Sequence, residues 1–202
     1  MVVMDTKQNL ISTATELFLG KGYAAVGTTE ICKTAGVNKG TFYHFFPSKS
    51  DLLIAAIDQY AEEFKASFSR IAELQVAPEE KLRKLFDVPM KANAAWRNEH
   101  GFAQGCLVGN MGLELASTDP SVQSAVVTAI DAWAREISPI VKELIEIGDP
   151  PKIDAETGAN TVVGLLQAGL LLAKIYDDPQ RILQMADIAL GALASSPKTH
   201  VI

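Results

Sequence analysis

Residues Thr28 to Asp51, TTEICKTAGVNKGTFYHFFPSKSD, are punctuated so tightly that the backbone has few options. Glu30 to Ala35 form one helical segment that stops at Gly36, the residue type best suited to the left-handed conformation that ends a helix. A second segment runs from Asn38 to Phe45, and Pro47 forbids its simple continuation. Ser48-x-x-Asp51 then opens a third helix as a variant of the capping box. Two helices joined by a short glycine-containing turn make a helix-turn-helix, whose second helix can lie in the major groove of DNA.

The side chains of that second helix divide into two sets. Val37, Phe42, Phe45 and Phe46 are apolar and should turn inward against Leu10, Ala14, Leu17, Phe18 and Ile31. Asn38, Lys39, Gly40, Thr41, Tyr43 and His44 are left for the outer face. Lys39 suits a phosphate or a guanine edge, and Thr41 suits a base or a thymine methyl. Gly40 permits close backbone approach, Tyr43 and His44 suit phosphates, and Lys49 adds a charge at the start of the next helix. The bland alternative for each is a solvated helix face. Charge gives little help: residues 1–60 hold five lysines and five acids, and the whole chain carries −6. Lys33, Lys39 and Lys49 nevertheless cluster in the motif, which predicts a salt-sensitive, locally positive face with little indiscriminate affinity.

Helical periodicity continues along the rest of the chain, and no alternating strand pattern of convincing length interrupts it. The expectation is an all-α protein of about nine helices: a helix-turn-helix domain over 1–50, and a helical sensing and dimerisation domain over 51–202. The later helices are predicted over Pro78 to Glu99, Leu107 to Ala116, Ser121 to Ile147, Asp154 to Tyr176 and Pro179 to Ala194. The most apolar run, Val162 to Ala173, is twelve residues long, against the roughly twenty that a bilayer span needs. It reads as a helix covered all round. With no secretory pattern and two cysteines far apart, a cytoplasmic protein with no membrane contact, no metal and no cofactor is expected.

The run AGVNKGTFYHFFPSKSDLL at Ala35 to Leu53 resembles the recognition region of TetR/AcrR-type transcriptional regulators. The likeness extends upstream through Leu10, Ile11, Ala14, Leu17 and Phe18 and through Gly20-Lys21-Gly22-Tyr23, about the first sixty residues. It implies a repressor that binds double-stranded operator DNA. It also implies a homodimer built through the last two helices, whose two recognition helices read a pseudo-palindrome. One departure is Val26-Gly27-Thr28-Thr29, where many members open the second helix with threonine. The phosphate contact implied at that point then falls to Thr28 or Thr29.

The segment from Gly101 to Asn110, GFAQGCLVGN, is the candidate sensing element. Cys106 stands at a glycine-rich junction opening a helix, where the helix terminus favours the reactive thiolate. Gly-Cys-Leu-x-x-Asn resembles a branch of TetR-type repressors that answer reactive electrophiles through this cysteine. His100 or Lys174, if folding brought either near, would lower its pKa further. The alternatives are a structural Cys106, the usual role of a buried cysteine, with a reversible ligand held among Trp96, His100, Phe102, Met111 and Trp133. Cys32 reads as packing. A cofactor-free enzyme built on His100 and Cys106 lacks an orienting third group, and a protein-binding adaptor leaves the Thr28–Asp51 motif without a purpose. The expected class is therefore a regulator and not an enzyme, releasing its operator on contact with an electrophile, an oxidant or a small-molecule inducer.

Overall fold

The computed structural model describes residues 5–147 and 153–194. Among them are α1 (Thr6–Lys21), α2 (Thr28–Ala35), α3 (Lys39–Phe45), α4 (Lys49–Ala72), α5 (Pro78–His100), α6 (Leu107–Leu115), α7 (Pro120–Ile147), α8 (Ala155–Tyr176) and α9 (Arg181–Ala194). No strand occurs among the described residues. The chain forms two compact units. One comprises residues 1–63 with 106–129, the other 64–105 with 130–202. The boundary expected after residue 50 coincides with the start of α4, whereas the compact units divide inside α4, before Cys106 and inside α7.

In the first unit Leu10, Ala14 and Phe18 of α1 are fully buried with Ile31, Phe42, Leu52, Leu53 and Met111. Phe46 joins this core, while Leu17, Val37 and Phe45, also expected inside, are only half-buried. The turn after α2 closes as the punctuation requires. Gly36 takes φ 69°, its N–H donates to the Lys33 carbonyl and the Val37 N–H to that of Cys32. Asn9 of α1 adds a bond from Nδ2 to the Ala35 carbonyl at 2.8 Å, which locks this turn to α1. Ser48 and Asp51 cap α4 reciprocally: the Asp51 N–H donates to Ser48 Oγ at 3.1 Å and Ser48 Oγ to Asp51 Oδ2 at 2.7 Å.

In the second unit α8 packs on α9 and α5. A Cβ at Gly169 would stand 3.0 Å from the Ile182 Cα, so the two backbones approach where only glycine fits. Within one chain α8 is covered only in part. Val162, Val163, Leu166, Leu170 and Ala173 are buried, but Leu171, Ile175 and Tyr176 are 46, 64 and 60% exposed. Ile188 of α9 is also exposed, as are the bare backbones of Gly164 and Gly191. The helix is apolar on two sides, and among the described residues one of them is covered. By length and composition alone α8 is long and apolar enough to cross a membrane. Its N-terminus is capped by Asp154, which accepts from the Thr157 N–H, and one face is packed, as in a core helix.

Candidate nucleic-acid interface and thiol site

The exposed side of α3 is built by its own cap. Asn38 Oδ1 accepts from the Thr41 N–H at 2.8 Å and from Thr41 Oγ1 at 3.2 Å, satisfying an amide that a helix start otherwise leaves open. A Cβ at Gly40 would come within 3.1 Å of the same oxygen, so Gly40 also leaves room for the cap. Lys39, Tyr43 and His44 project outward, Tyr43 with 52% of its surface exposed. Phe42 supports Tyr43 edge-on at 5.1 Å, and Phe45 supports His44 at 4.9 Å, so neither ring swings freely. Thr28 is half-buried and Thr29 exposed at the start of α2, and Gly27 gives that helix no side-chain cap.

Lys49 is placed otherwise than the sequence implied. Its ammonium donates to the carbonyls of Tyr23 at 2.9 Å and Val26 at 2.8 Å, and lies 3.8 Å from the centre of the Tyr23 ring. Burial lowers its pKa, against an opposing pull from Glu114. Opposite Lys49, the Glu114 carboxylate accepts from the N–H groups of Tyr23 and Ala24. Asp119 accepts from Ser50 Oγ at 2.8 Å, which holds the start of α4. The Ser50 bond is the largest cause of the lowered Asp119 pKa, followed by the Val122 N–H. None of these partners had a local signature, since Glu114 and Tyr23 stand 91 residues apart.

Cys106 occupies the N-cap position of α6, where the helix-terminus reading put it, but only 3% of it is exposed. Its side chain hydrogen-bonds with the Tyr60 hydroxyl, which also takes the Leu107 N–H, the first amide of α6. Burial drives the Tyr60 phenol well above its ordinary pKa, with the neighbouring Cys106 sulfur adding to the rise. Cys32 is buried as well, and neither thiol is in a disulfide.

The five residues considered for a ligand pocket do not gather. Trp96 stacks on His100 with 3.7 Å between ring centres, and Phe102 meets both edge-on. Trp133 packs instead with Phe64 and Phe68. Met111 is fully buried in the other unit. A groove of about 460 Å³ lies between α7 and α8, lined by Asp131, Arg135, Ser138, Glu156 and Asn160, and it includes none of the five. Lys174 is exposed on α8.

Comparison with known proteins identifies the family. Residues 10–56 match the family described as bacterial regulatory proteins, tetR family, and residues 78–188 match the tetracyclin repressor-like C-terminal domain. The transcriptional regulator AcuR of Cereibacter sphaeroides is 34% identical over 143 residues, 70% of this chain and 64% of AcuR, so the aligned stretch spans less than two thirds of that relative. The HTH-type transcriptional repressor NemR of Escherichia coli is 28% identical over 144 residues, 71% of this chain and 69% of its own length. Among solved structures, the regulatory protein TetR from Rhodobacter sphaeroides superposes with a TM-score of 0.78 at 28% identity, covering 91% of this chain and 96% of that one. The reduced form of E. coli NemR gives 0.81 at 20% identity, over 96 and 99% of the two chains, a likeness of fold. With both halves matched, this chain belongs to the TetR family of bacterial transcriptional regulators.

Proposed function

We propose that the protein is a cytoplasmic, homodimeric repressor that holds a pseudo-palindromic operator and lets go when its helical C-terminal region, residues 51–202, meets an inducer. The observation that carries the reading is the outer face of α3, where Lys39, Thr41, Tyr43 and His44 surround the bare backbone of Gly40 on a capped, rigid helix. Thr28 and Thr29 add hydroxyls at the start of α2, and Lys49 acts by bracing the loop before them. The dimer would form over the exposed apolar side of α8 and α9, where Leu171, Ile175 and Ile188 flank glycines that admit a second helix closely. A twofold pair sets two α3 helices about one turn of DNA apart.

The inducer in this reading is a thiol-reactive electrophile or an oxidant acting at Cys106. The Sγ adds to an electrophilic carbon, as it does across the double bond of a maleimide, and the thiol proton ends on the neighbouring carbon. The adduct cannot fit beside Tyr60 in a site that is 97% enclosed, so it would displace the start of α6. The second reading, a reversible ligand, is favoured by the Trp96–His100–Phe102 cluster, which offers a flat molecule a stacking partner.

Fluorescence anisotropy on DNA from upstream of the protein's own gene tests both parts. Tight binding reversed by N-ethylmaleimide supports the thiol-switched repressor. Tight binding that ignores maleimide and oxidant retains the repressor and transfers the signal to a reversible ligand. No sequence-specific binding ends the repressor reading.

A further inference from the structure

The helix that leads into α3 starts without a cap of its own. Gly27 occupies the N-cap position of α2 with an extended backbone and no side-chain hydrogen bond. Glycine there is a weaker cap than serine or threonine. The loop in front of it, residues 22–27, is fixed instead by two side chains from outside the loop. Glu114 of α6 takes its amides: the Tyr23 N–H donates to Oε2 at 3.0 Å and the Ala24 N–H to Oε1 at 2.7 Å. Lys49, at the start of α4, takes its carbonyls at Tyr23 and Val26. The loop's peptide groups are therefore gripped by opposite charges. Gly22 contributes to the same arrangement. Its φ of +79° suits glycine, and a Cβ there would stand 3.2 Å from Glu114 Oε2, crowding the carboxylate.

We propose that Glu114 is a positioning residue for operator recognition: from α6, its carboxylate fixes the backbone from which α2 starts and so sets α2 and α3 for DNA, a role no local cap fills. The proposal rests on the operator-binding reading above and deepens it. In this role Glu114 acts through the loop and not on the nucleic acid: both its oxygens are taken by the Tyr23 and Ala24 amides, and its charge repels phosphate. That sign separates two explanations. If Glu114 acted only through the long-range field, removing its charge would strengthen binding to a polyanion. If it acts by holding the loop, removing it weakens binding. A charge-assisted pair of hydrogen bonds is lost, and α2 gains freedom that DNA must then restrict.

The test is Glu114→Gln in the full chain. Glutamine keeps one acceptor oxygen but turns an NH₂ toward the second amide, where a donor meets a donor. Operator affinity should fall about tenfold, the equivalent of one charge-assisted bond. The slope of log K against log salt should stay as in the wild type, because no phosphate contact is lost. Hydrogen exchange at the Tyr23 and Ala24 amides should accelerate while the amides of the α1 core hold, a local signature that general unfolding does not give. Equal or tighter operator binding, or unchanged exchange at both amides, overturns the proposal. If Glu114→Gln loses helical circular dichroism, Glu114→Asp takes its place. It keeps the charge but shortens the reach by one methylene, and the same affinity and exchange criteria decide. Failure of the wild-type protein to retain operator DNA overturns the reading beneath; a wild-type complex with undiminished Glu114→Gln binding overturns the positioning role alone.

Discussion

Asn93 and Gly105 hold each other by a reciprocal pair of hydrogen bonds: the Gly105 N–H donates to Asn93 Oδ1 at 2.9 Å, and Asn93 Nδ2 donates to the Gly105 carbonyl at 3.2 Å. Asn93 also donates to the Pro89 carbonyl, and it is 1% exposed. Its amide gives an irregular segment the partners that a neighbouring strand or helix would give, at the residue just before Cys106. Asn93→Ala leaves a buried N–H and C=O without a partner, each worth about 1–3 kcal/mol. The variant should unfold in urea with stability lowered by about 2–4 kcal/mol. A loss below about 0.5 kcal/mol would mean that water or a backbone shift replaces the amide.

A separation of roles is expected between the two cysteines. Cys106→Ser should bind operator DNA as the wild type does and resist release by N-ethylmaleimide, whereas Cys32→Ser should remain releasable. Both thiols are buried, so labelling of the native protein should be slow and should speed up in mild denaturant. Release that persists in Cys106→Ser removes this thiol from the signal path.

On the α3 face, Lys39→Ala and Tyr43→Ala should both weaken the operator complex without changing the oligomeric state. Lys39→Ala should also lower the salt slope by about one ion, if it neutralises a phosphate. Tyr43 rests on Phe42 and is half exposed, so its loss should leave the melting temperature nearly unchanged. An unaltered gel shift in both variants would move the contact surface off this side of α3.

The boundaries of the helices were legible because they depend on neighbours in sequence. Gly36 ends α2 in the left-handed region, Gly101 ends α5 at φ 84°, and Asn38, Ser48 and Asp154 cap the helices that follow them. What sequence left open depends on pairings across the fold. Nothing local marked Glu114 as the partner of the Tyr23 and Ala24 amides, and nothing distinguished Lys49 as a brace from Lys49 as a phosphate ligand. The aromatic residues grouped by composition, Trp96 and Trp133 among them, pack in different clusters, because similar chemistry does not specify which helices meet. Cys106 was readable as a helix start from Gly105, but its burial and its Tyr60 partner were not. Which residues of α8 one chain buries was not readable, because hydropathy does not tell an intramolecular partner from a second copy of the chain.

That open side carries its own prediction. Ile175→Asp puts a charge where a twofold partner would bury it unpaired, at a position the isolated chain leaves exposed. The variant should sediment as a folded monomer with unchanged helical content, and its operator affinity should fall by more than the loss from Tyr43→Ala. A dimer that survives this substitution would direct attention to another face of α8 and α9.

Asp177 supplies a test by pH. It ends α8 in the left-handed region at φ 51°, accepts from the Ala103 N–H at 2.8 Å, and pairs with Arg97 at 3.0 Å. The Arg97 hydrogen bond is the largest cause that holds its carboxyl below the usual range, with the Ala103 N–H next. A carboxyl with a lowered pKa in the folded state contributes stability that is fully present above its unfolded value, near 3.9, and lost as pH falls through the lowered value. Asp177→Asn keeps a residue that tolerates φ > 0 and an acceptor for Ala103, and removes only the charge. The melting temperatures of the two proteins should differ most at about pH 6–7 and converge as pH falls from about 4 through the lowered folded-state value, because the unfolded carboxyl protonates first and the folded one last. Asp119 and Asp154, lowered by their own hydrogen bonds, titrate in both proteins alike and cancel from the comparison. A difference that stays constant from about pH 7 to pH 3 would show that Asp177 acts through shape and neutral hydrogen bonds, with the Arg97 pair adding nothing.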